Sequence, residues 1–203
     1  MHKKESVWEQ GFLRKDADFR KKAKFEWFSR KAYQAYAQWI DPSDRLILDA
    51  GFGTGQMCYA LAQQLPGSQI WGIDISLRLV KEAKECAHDL QLQNISFVTA
   101  DILALPCSDN TFDVVLSDGV IGHLPNYEAA FKELVRIAKP GGKVIVGTPN
   151  WYCFPHTFRK FLLQLLGVEY EYGFEKSFAH QELRKMFQQN HLHALEITGY
   201  RFM

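Results

Sequence analysis

The residues best placed to do chemistry gather behind one short apolar run. Leu46-Ile47-Leu48-Asp49-Ala50 leads straight into Gly51-Phe52-Gly53-Thr54-Gly55, and helical periodicity begins at once. A glycine-rich turn at the carboxyl end of a strand lets the backbone come close to a bound group, and the N–H groups of the following helix point at it. Gly51-x-Gly53 alone is a weak signal. Its weight comes from Asp74, 23 residues beyond Gly51 and followed by Ile75, at the offset where a carboxylate can accept both hydroxyls of an adenosine ribose. A further acid, Asp101, stands in Thr99-Ala100-Asp101-Ile102, where a carboxylate beside an apolar side chain suits an adenine amino group and ring face. Taken singly, each acid reads equally well as a helix cap or a surface carboxylate, but acids at successive strand ends are hard to explain that way. Together they outline an adenosine. A dinucleotide fingerprint would have Gly or Ala at the sixth position of the turn, whereas this chain has Gln56 and the pattern Gly-x-Gly-x-Gly.

The elements that must position these residues are legible as an alternation of short aliphatic runs with helical periods, the pattern of βαβ units and a parallel sheet. Strands are predicted at Leu46–Ala50, Gln69–Asp74, Ile95–Thr99, Phe112–Ser117 and Lys143–Thr148, and helices at about 55–65, 76–90 and 126–138. Ser76 reads as a helix N-cap, and Pro140-Gly141-Gly142 as a helix stop and turn before the fifth strand. A sixth strand is expected at Leu192–Thr198, with no room after it for a seventh. Upstream, the aromatics between Phe19 and Trp39 recur at helical spacing, with Phe25, Phe28, Tyr36 and Trp39 on one side and Lys/Arg on the other. That segment reads as an amphipathic helix docking through its aromatic side.

At 203 residues the chain is the size of one domain able to bury about 70% of its unfolded surface. Hydrophobic residues at 47% and charged residues at 23% exclude a disordered or collagen-like chain. A net charge of +1 gives no overall drive toward nucleic acid or an anionic membrane, although residues 1–31 sum to +5 and the remainder to −4. Cys58, Cys86, Cys107 and Cys153 form no Cys-x-x-Cys pair, so neither a zinc cluster nor a redox motif is read, and free thiols fit a reducing cytoplasmic setting. No export signal or membrane span is read, because residues 1–20 are charged throughout and the charge-free stretch 51–73 is broken by five glycines.

With LILDAGFGTGQ (46–56), WGIDIS (71–76), ADILALP (100–106), FDVVLSDGVIGHL (112–124) and ELVRIAKPGGKVIVGTPN (133–150), the chain resembles the class I S-adenosylmethionine-dependent methyltransferases, specifically the small-molecule group that includes quinone-biosynthesis enzymes. The resemblance covers roughly residues 44–150. It implies a doubly wound, mostly parallel Rossmann-like α/β sheet with helices on both faces, and S-adenosyl-L-methionine as cofactor. By position it implies that Asp49, Gly51, Gly53 and Gly55 surround the methionine part, Asp74 holds the ribose, Asp101 and Ile102 the adenine, that Ser117 and Asp118 line the floor near the methyl group, and that Ile75 is among the cofactor-binding residues. Phe52 departs from the small residue usual in that loop. The family sheet usually ends in an antiparallel seventh strand. Its absence here would leave an edge able to pair with a second copy.

Methyl transfer from a sulfonium needs mainly alignment and exclusion of water, so few catalytic residues are obligatory. For a hydroxyl acceptor a general base helps, which makes His123 and His156, after the fourth and fifth strands, the candidate catalytic residues; a hydrogen-bonded structural histidine is the competing reading of each. No Asn/Asp-Pro-Pro-Tyr/Phe run follows the fourth strand, which by the resemblance disfavours amino groups of adenine or glutamine. Cys107 precedes that strand and reads as a packing residue rather than a nucleophile. No metal-ligand cluster is read. Nine aromatics lie in residues 8–39 and nine in 151–178, eighteen of the chain's 28, and the resemblance implies that both segments cap the sheet edge.

The expectation is one domain: a helical cap over 1–43, a cofactor core over 44–150, a substrate cap over 151–180, and a last helix and strand over 181–203. Its activity would be methylation of a small apolar or aromatic acceptor, oxygen favoured. The rivals are a nicotinamide-dependent oxidoreductase, which the Gln56 turn argues against, and a non-catalytic protein that retains the pocket. An RNA methyltransferase using the basic N-terminal helix is a further option.

Overall fold

A computed structural model describes residues 33–167, 174–193 and 196–197 of the chain. Its centre is a five-stranded parallel sheet of β1 (Leu46–Ala50), β2 (Gln69–Asp74), β3 (Ile95–Thr99), β4 (Phe112–Asp118) and β5 (Ala138–Gly147), in the spatial order β3-β2-β1-β4-β5. The connecting helices are α1 (Gln56–Gln64) and α2 (Leu77–Asp89) in the first half and α3 (Tyr127–Ile137) between β4 and β5. Beyond the sheet lie α4 (Phe154–Leu165) and α5 (His180–Gln189).

Alternation along each strand feeds two cores, as the period of two requires. Ile47, Ile70, Val114 and Leu116 face a cluster with α1, α2, Tyr36 and Ile40, while Leu48, Ile73 and Val115 face one with α3 and α5. This is the doubly wound arrangement expected. Ser76 caps α2 as read, its Oγ accepting from the Leu79 N–H at 3.3 Å. Of the predicted N-terminal helix, the described part is helical over 33–37, with Tyr36 buried and the Trp39 indole N–H donating to Glu196 at 3.0 Å. Phe25 and Phe28 lie outside the described residues.

Two boundaries differ from expectation. α3 stops at Ile137 before Pro140, but β5 begins at Ala138 rather than after the Pro-Gly-Gly turn. Ala138 pairs with Phe112 and pairing resumes at Lys143 opposite Val114, so the four residues 139–142 bulge out of a strand that continues past them. Pro140 has no N–H for the ladder, and Gly141 at φ 78 supplies the left-handed kink. Of the predicted sixth strand, residues 192–193 and 196–197 lie in no strand and the rest lies outside the described residues. Leu192 instead closes α5, its N–H donating to the Phe187 carbonyl at 3.1 Å behind His191 at φ 60.

Candidate functional site

Strands β1 and β4 are neighbours in the sheet although β2 and β3 separate them in sequence, so the crossovers leave β1 in opposite directions. A crevice opens at such a point beyond the carboxyl ends of the strands. The glycine turn lies here. Gly51, Gly53 and Gly55 all have positive φ, and the Gly51 N–H donates to the Ile73 carbonyl of β2 at 2.6 Å. A Cβ on Gly51 would land within the Val120 side chain, and one on Gly55 would stand 2.7 Å from the Tyr59 hydroxyl. The turn can follow this path only as glycine. Phe52, the family departure, points away into the core against Phe97 with centroids 4.8 Å apart, over a Gly72 that has no side chain to block it.

Asp74 ties the turn to the next strand end. Its carboxylate accepts from the Gly53 N–H at 3.0 Å on one oxygen and the Ser76 N–H at 2.9 Å on the other. Burial raises its pKa, and hydrogen bonds from Ser76, Gly53 and Ile75 backbone N–H groups oppose that shift. Asp49 is buried beneath the turn and accepts from the Cys58 thiol at 3.4 Å. Burial pushes its pKa up to about 7, and the charges of Asp118 and Asp74 add to the shift. Three carboxylates therefore concentrate negative potential at one strand edge, a setting that favours a cationic ligand group.

The remaining predicted residues divide. Ser117 is fully buried and spends its hydroxyl on the Ala50 carbonyl at 2.9 Å, fastening β4 to β1 at the mouth of the crevice. Asp118 follows it, and a Cβ on Gly147 would collide with both its carboxylate and the Tyr36 hydroxyl. Asp101 is exposed and accepts from the Leu103 N–H at 2.9 Å on one carboxylate oxygen. Ile102 is buried in the α3-side core, whereas Ile75 remains exposed beside Asp74. His123 ends the 3-10 turn Ile121–His123 after β4; its Nδ1 lies 3.1 Å from the Phe174 carbonyl and its Nε2 lies 3.7 Å from Glu175 Oε2, both side chains being buried. His156 lies in the first turn of α4, and its side chain is outside what is described.

Sequence reasoning assigned Tyr36 to packing alone and passed over Gly147, Val120 and Glu175. The signals were faint: Gly147 sits at a strand end like Gly51, but Tyr36 and Glu175 are long-range partners whose contacts no local pattern encodes.

Comparison with known proteins gives the family. A family model described as a methyltransferase domain matches residues 42–196. A demethylmenaquinone methyltransferase of Geobacillus sp. (strain WCH70) is 27% identical over 175 residues, covering 76% of this chain and 74% of its own. A ubiquinone biosynthesis O-methyltransferase of Coxiella burnetii (strain Dugway 5J108-111) is 29% identical over 173 residues, covering 81% and 70%. Among solved structures, a magnesium protoporphyrin IX methyltransferase from Synechocystis PCC 6803 with bound SAH superposes with TM-score 0.66 at 21% identity, over 91% of this chain and 82% of that one.

Proposed function

The chain belongs to the methyltransferase domain family and is an S-adenosylmethionine-dependent methyltransferase, and we propose that it methylates an oxygen of a small apolar or aromatic acceptor. The observation that carries the cofactor assignment is the left-handed glycine turn held by the Asp74 carboxylate above a buried Asp49. These residues fit the cofactor. Gly51 keeps the turn's backbone close against Val120, where any Cβ would collide, and the acids at the edge complement a ligand bearing an ammonium and a sulfonium. In this reading Asp74 holds the ribose hydroxyls with oxygens already oriented by Gly53 and Ser76, Asp49 faces the amino-acid part, and Asp101 and Ile75 border the adenine. Ser117 serves as a brace for the strand edge, and Asp118 with Tyr36 forms the floor. When bound, S-adenosylmethionine supplies an electrophilic methyl group.

The chain's own part is to align the acceptor and take its proton. A backbone carbonyl only accepts, so the Phe174 carbonyl keeps a proton on His123 Nδ1 and leaves Nε2 as the nitrogen able to receive one. Glu175, at ion-pair distance from Nε2, stabilises the imidazolium that results. That geometry supports a hydroxyl acceptor, whose oxygen attacks as its proton moves to Nε2. The relatives named for demethylmenaquinone and ubiquinone biosynthesis support an aromatic ring as the acceptor's core. The test is methyl transfer from S-adenosylmethionine to catechol, hydroquinone and prenylated quinol acceptors, followed by mass spectrometry. O-methylated product is expected, with kcat falling about 100-fold or more in His123→Ala. Products methylated on carbon, or an undiminished His123→Ala, would remove the oxygen and base assignments.

A further inference from the structure

α1 opens against the buried acid of β1. Gly55 caps the helix in the left-handed conformation and offers no side chain, and no acid stands in the helix's own first turn. Cys58, the third residue of α1, is fully buried, and its thiol donates to Asp49 Oδ2 at 3.4 Å. The contact brings a carboxylate from another element to the first turn of α1, where the N–H end of a helix favours negative charge. A thiol at such a place is ordinarily activated. Here burial, and after it the charge of Asp49, raise the Cys58 pKa well above that of a free thiol, so Cys58 keeps its proton and serves as a donor.

Buried cysteines commonly fill space as small apolar side chains, and packing alone is the plainer account of Cys58. The surroundings of Asp49 ask for more. Burial raises the pKa of that carboxyl, the Cys58 hydrogen bond lowers it, and the charges of Asp118 at the end of β4 and Asp74 at the end of β2 raise it again. The strands on either side of β1 thus turn acids toward Asp49, and the thiol of α1 is the group that favours its ionised form. A buried carboxylate deprived of its donor bears the full cost of desolvation. Oδ1 takes no part in the bond to Cys58 and is the oxygen left for a ligand. We infer that Cys58 is a positioning residue of the cofactor site: its thiol fixes Asp49 through Oδ2 and leaves Oδ1 to receive the ammonium of the ligand's amino-acid part. The inference rests on the placement of Asp49 beside that part of the ligand, proposed above. Without the thiol, Asp49 holds its proton to higher pH and must release it before an ammonium can pair with it. Affinity then falls below the wild-type value on the acid side of about pH 7 and recovers above it.

The experiment is calorimetric titration of the wild type, Cys58→Ala and Cys58→Ser with two ligands across neutral pH. S-adenosylhomocysteine carries the ammonium; methylthioadenosine shares its adenosine and lacks the amino-acid part. At about pH 6.5, Cys58→Ala should bind S-adenosylhomocysteine about threefold to tenfold more weakly than the wild type, the range suited to a weak donor on a charged acceptor. The deficit should close toward about pH 9, where Asp49 is ionised in both proteins. Affinity for methylthioadenosine should be unchanged at every pH, which also establishes that the variants are folded. Cys58→Ser restores a donor and should recover the wild-type profile. Equal weakening of both ligands by Cys58→Ala would mean a loosened turn and overturns the inference. So does an alanine variant with the wild-type profile, or a serine variant that behaves as alanine does. Carbon NMR titration of the Asp49 carboxyl in the ligand-free proteins tells this failure from that of the reading beneath it. If Cys58→Ala raises the Asp49 midpoint while wild-type affinity for S-adenosylhomocysteine is independent of pH, the thiol acts on Asp49 but Asp49 is not beside the ligand. That outcome withdraws the placement of Asp49, and the inference falls with it.

Discussion

Asp49 has almost no water around it, and two further carboxylates, Asp74 and Asp118, add to the effect of burial in bringing its pKa up to about 7. The free carboxyl of an unfolded chain ionises near about 3.9, so the folded protein holds a proton that the unfolded chain has released over the window between the two values. This group therefore draws stability down as pH rises from about 4 to 7. A cationic ligand beside it favours the ionised form, so binding should expel a proton near pH 6.5, within about a unit of the folded pKa. Titration with S-adenosylhomocysteine in buffers of different ionisation enthalpy should reveal that release, affinity should rise between pH 6 and 8, and Asp49→Asn should abolish both dependences. A wild-type binding enthalpy independent of buffer would remove Asp49 from the ligand's surroundings. Asp74 is a different case, since its oxygens already bind the Gly53 and Ser76 N–H groups. Asp74→Ala loses the proposed ribose bonds and frees the turn, so affinity for S-adenosylhomocysteine should fall by about 1.5–3 kcal/mol, measured calorimetrically. Unchanged affinity would leave Asp74 as a loop anchor alone.

At the scale of elements, the glycine turn and the strap after β4 are stabilised by different physics, and two glycines separate them. Gly51 at φ 83 has the Val120 side chain where its Cβ would go, while Gly119 at φ 68 has nothing within 4 Å. Gly119→Ala should cost about 1–2 kcal/mol of backbone strain, whereas Gly51→Ala adds overpacking and should cost about 2–4 kcal/mol. Urea unfolding of the two variants measures the difference, and equal losses would show that Val120 simply moves aside. β1, β2 and β3 have the bounds that their apolar runs predict, because each run is closed by residues that cannot continue a buried strand: Gly51 after β1, and the Ser76-capped helix after β2. β5 starts earlier than its sequence suggests because Pro140 and Gly141 mark a turn when read locally, while pairing with β4 carries the strand through them as a bulge. The acids proposed for the site stand out in the sequence because each lies within two residues of a strand's carboxyl end. Glu175 could not, since its approach to His123 spans 52 residues and depends on the Lys176 N–H bond to the Gly122 carbonyl that lays residues 174–178 beside the turn.

Over the whole molecule, the alternation of strands and helices reveals that a parallel sheet must form, but not which strands meet. Both faces of the sheet are buried at once: Leu48 and Ile47 on adjacent positions of β1 serve opposite cores and are fully buried, as suits the central strand that lies between β2 and β4. The consequence for ligand binding is global, because the crevice between those neighbours exists only in the folded sheet. A ligand that binds the native state alone raises stability by mass action, about 2.7 kcal/mol when present at a hundred times its dissociation constant. For a chain of this length that corresponds to an upward shift in Tm of about 5–10 °C. S-adenosylhomocysteine should produce that shift in a thermal melt at pH 7, whereas NADH at equal concentration should produce none, because Gln56 stands where a dinucleotide turn needs a residue small enough for its pyrophosphate. A shift with NADH alone would replace the methyl donor with a nicotinamide. A shift with both would mean that the turn recognises only the adenosine the two ligands share, and would move the burden of specificity from Gln56 to Asp49 and Asp118, the carboxylates proposed to face the amino-acid part and the floor of the site.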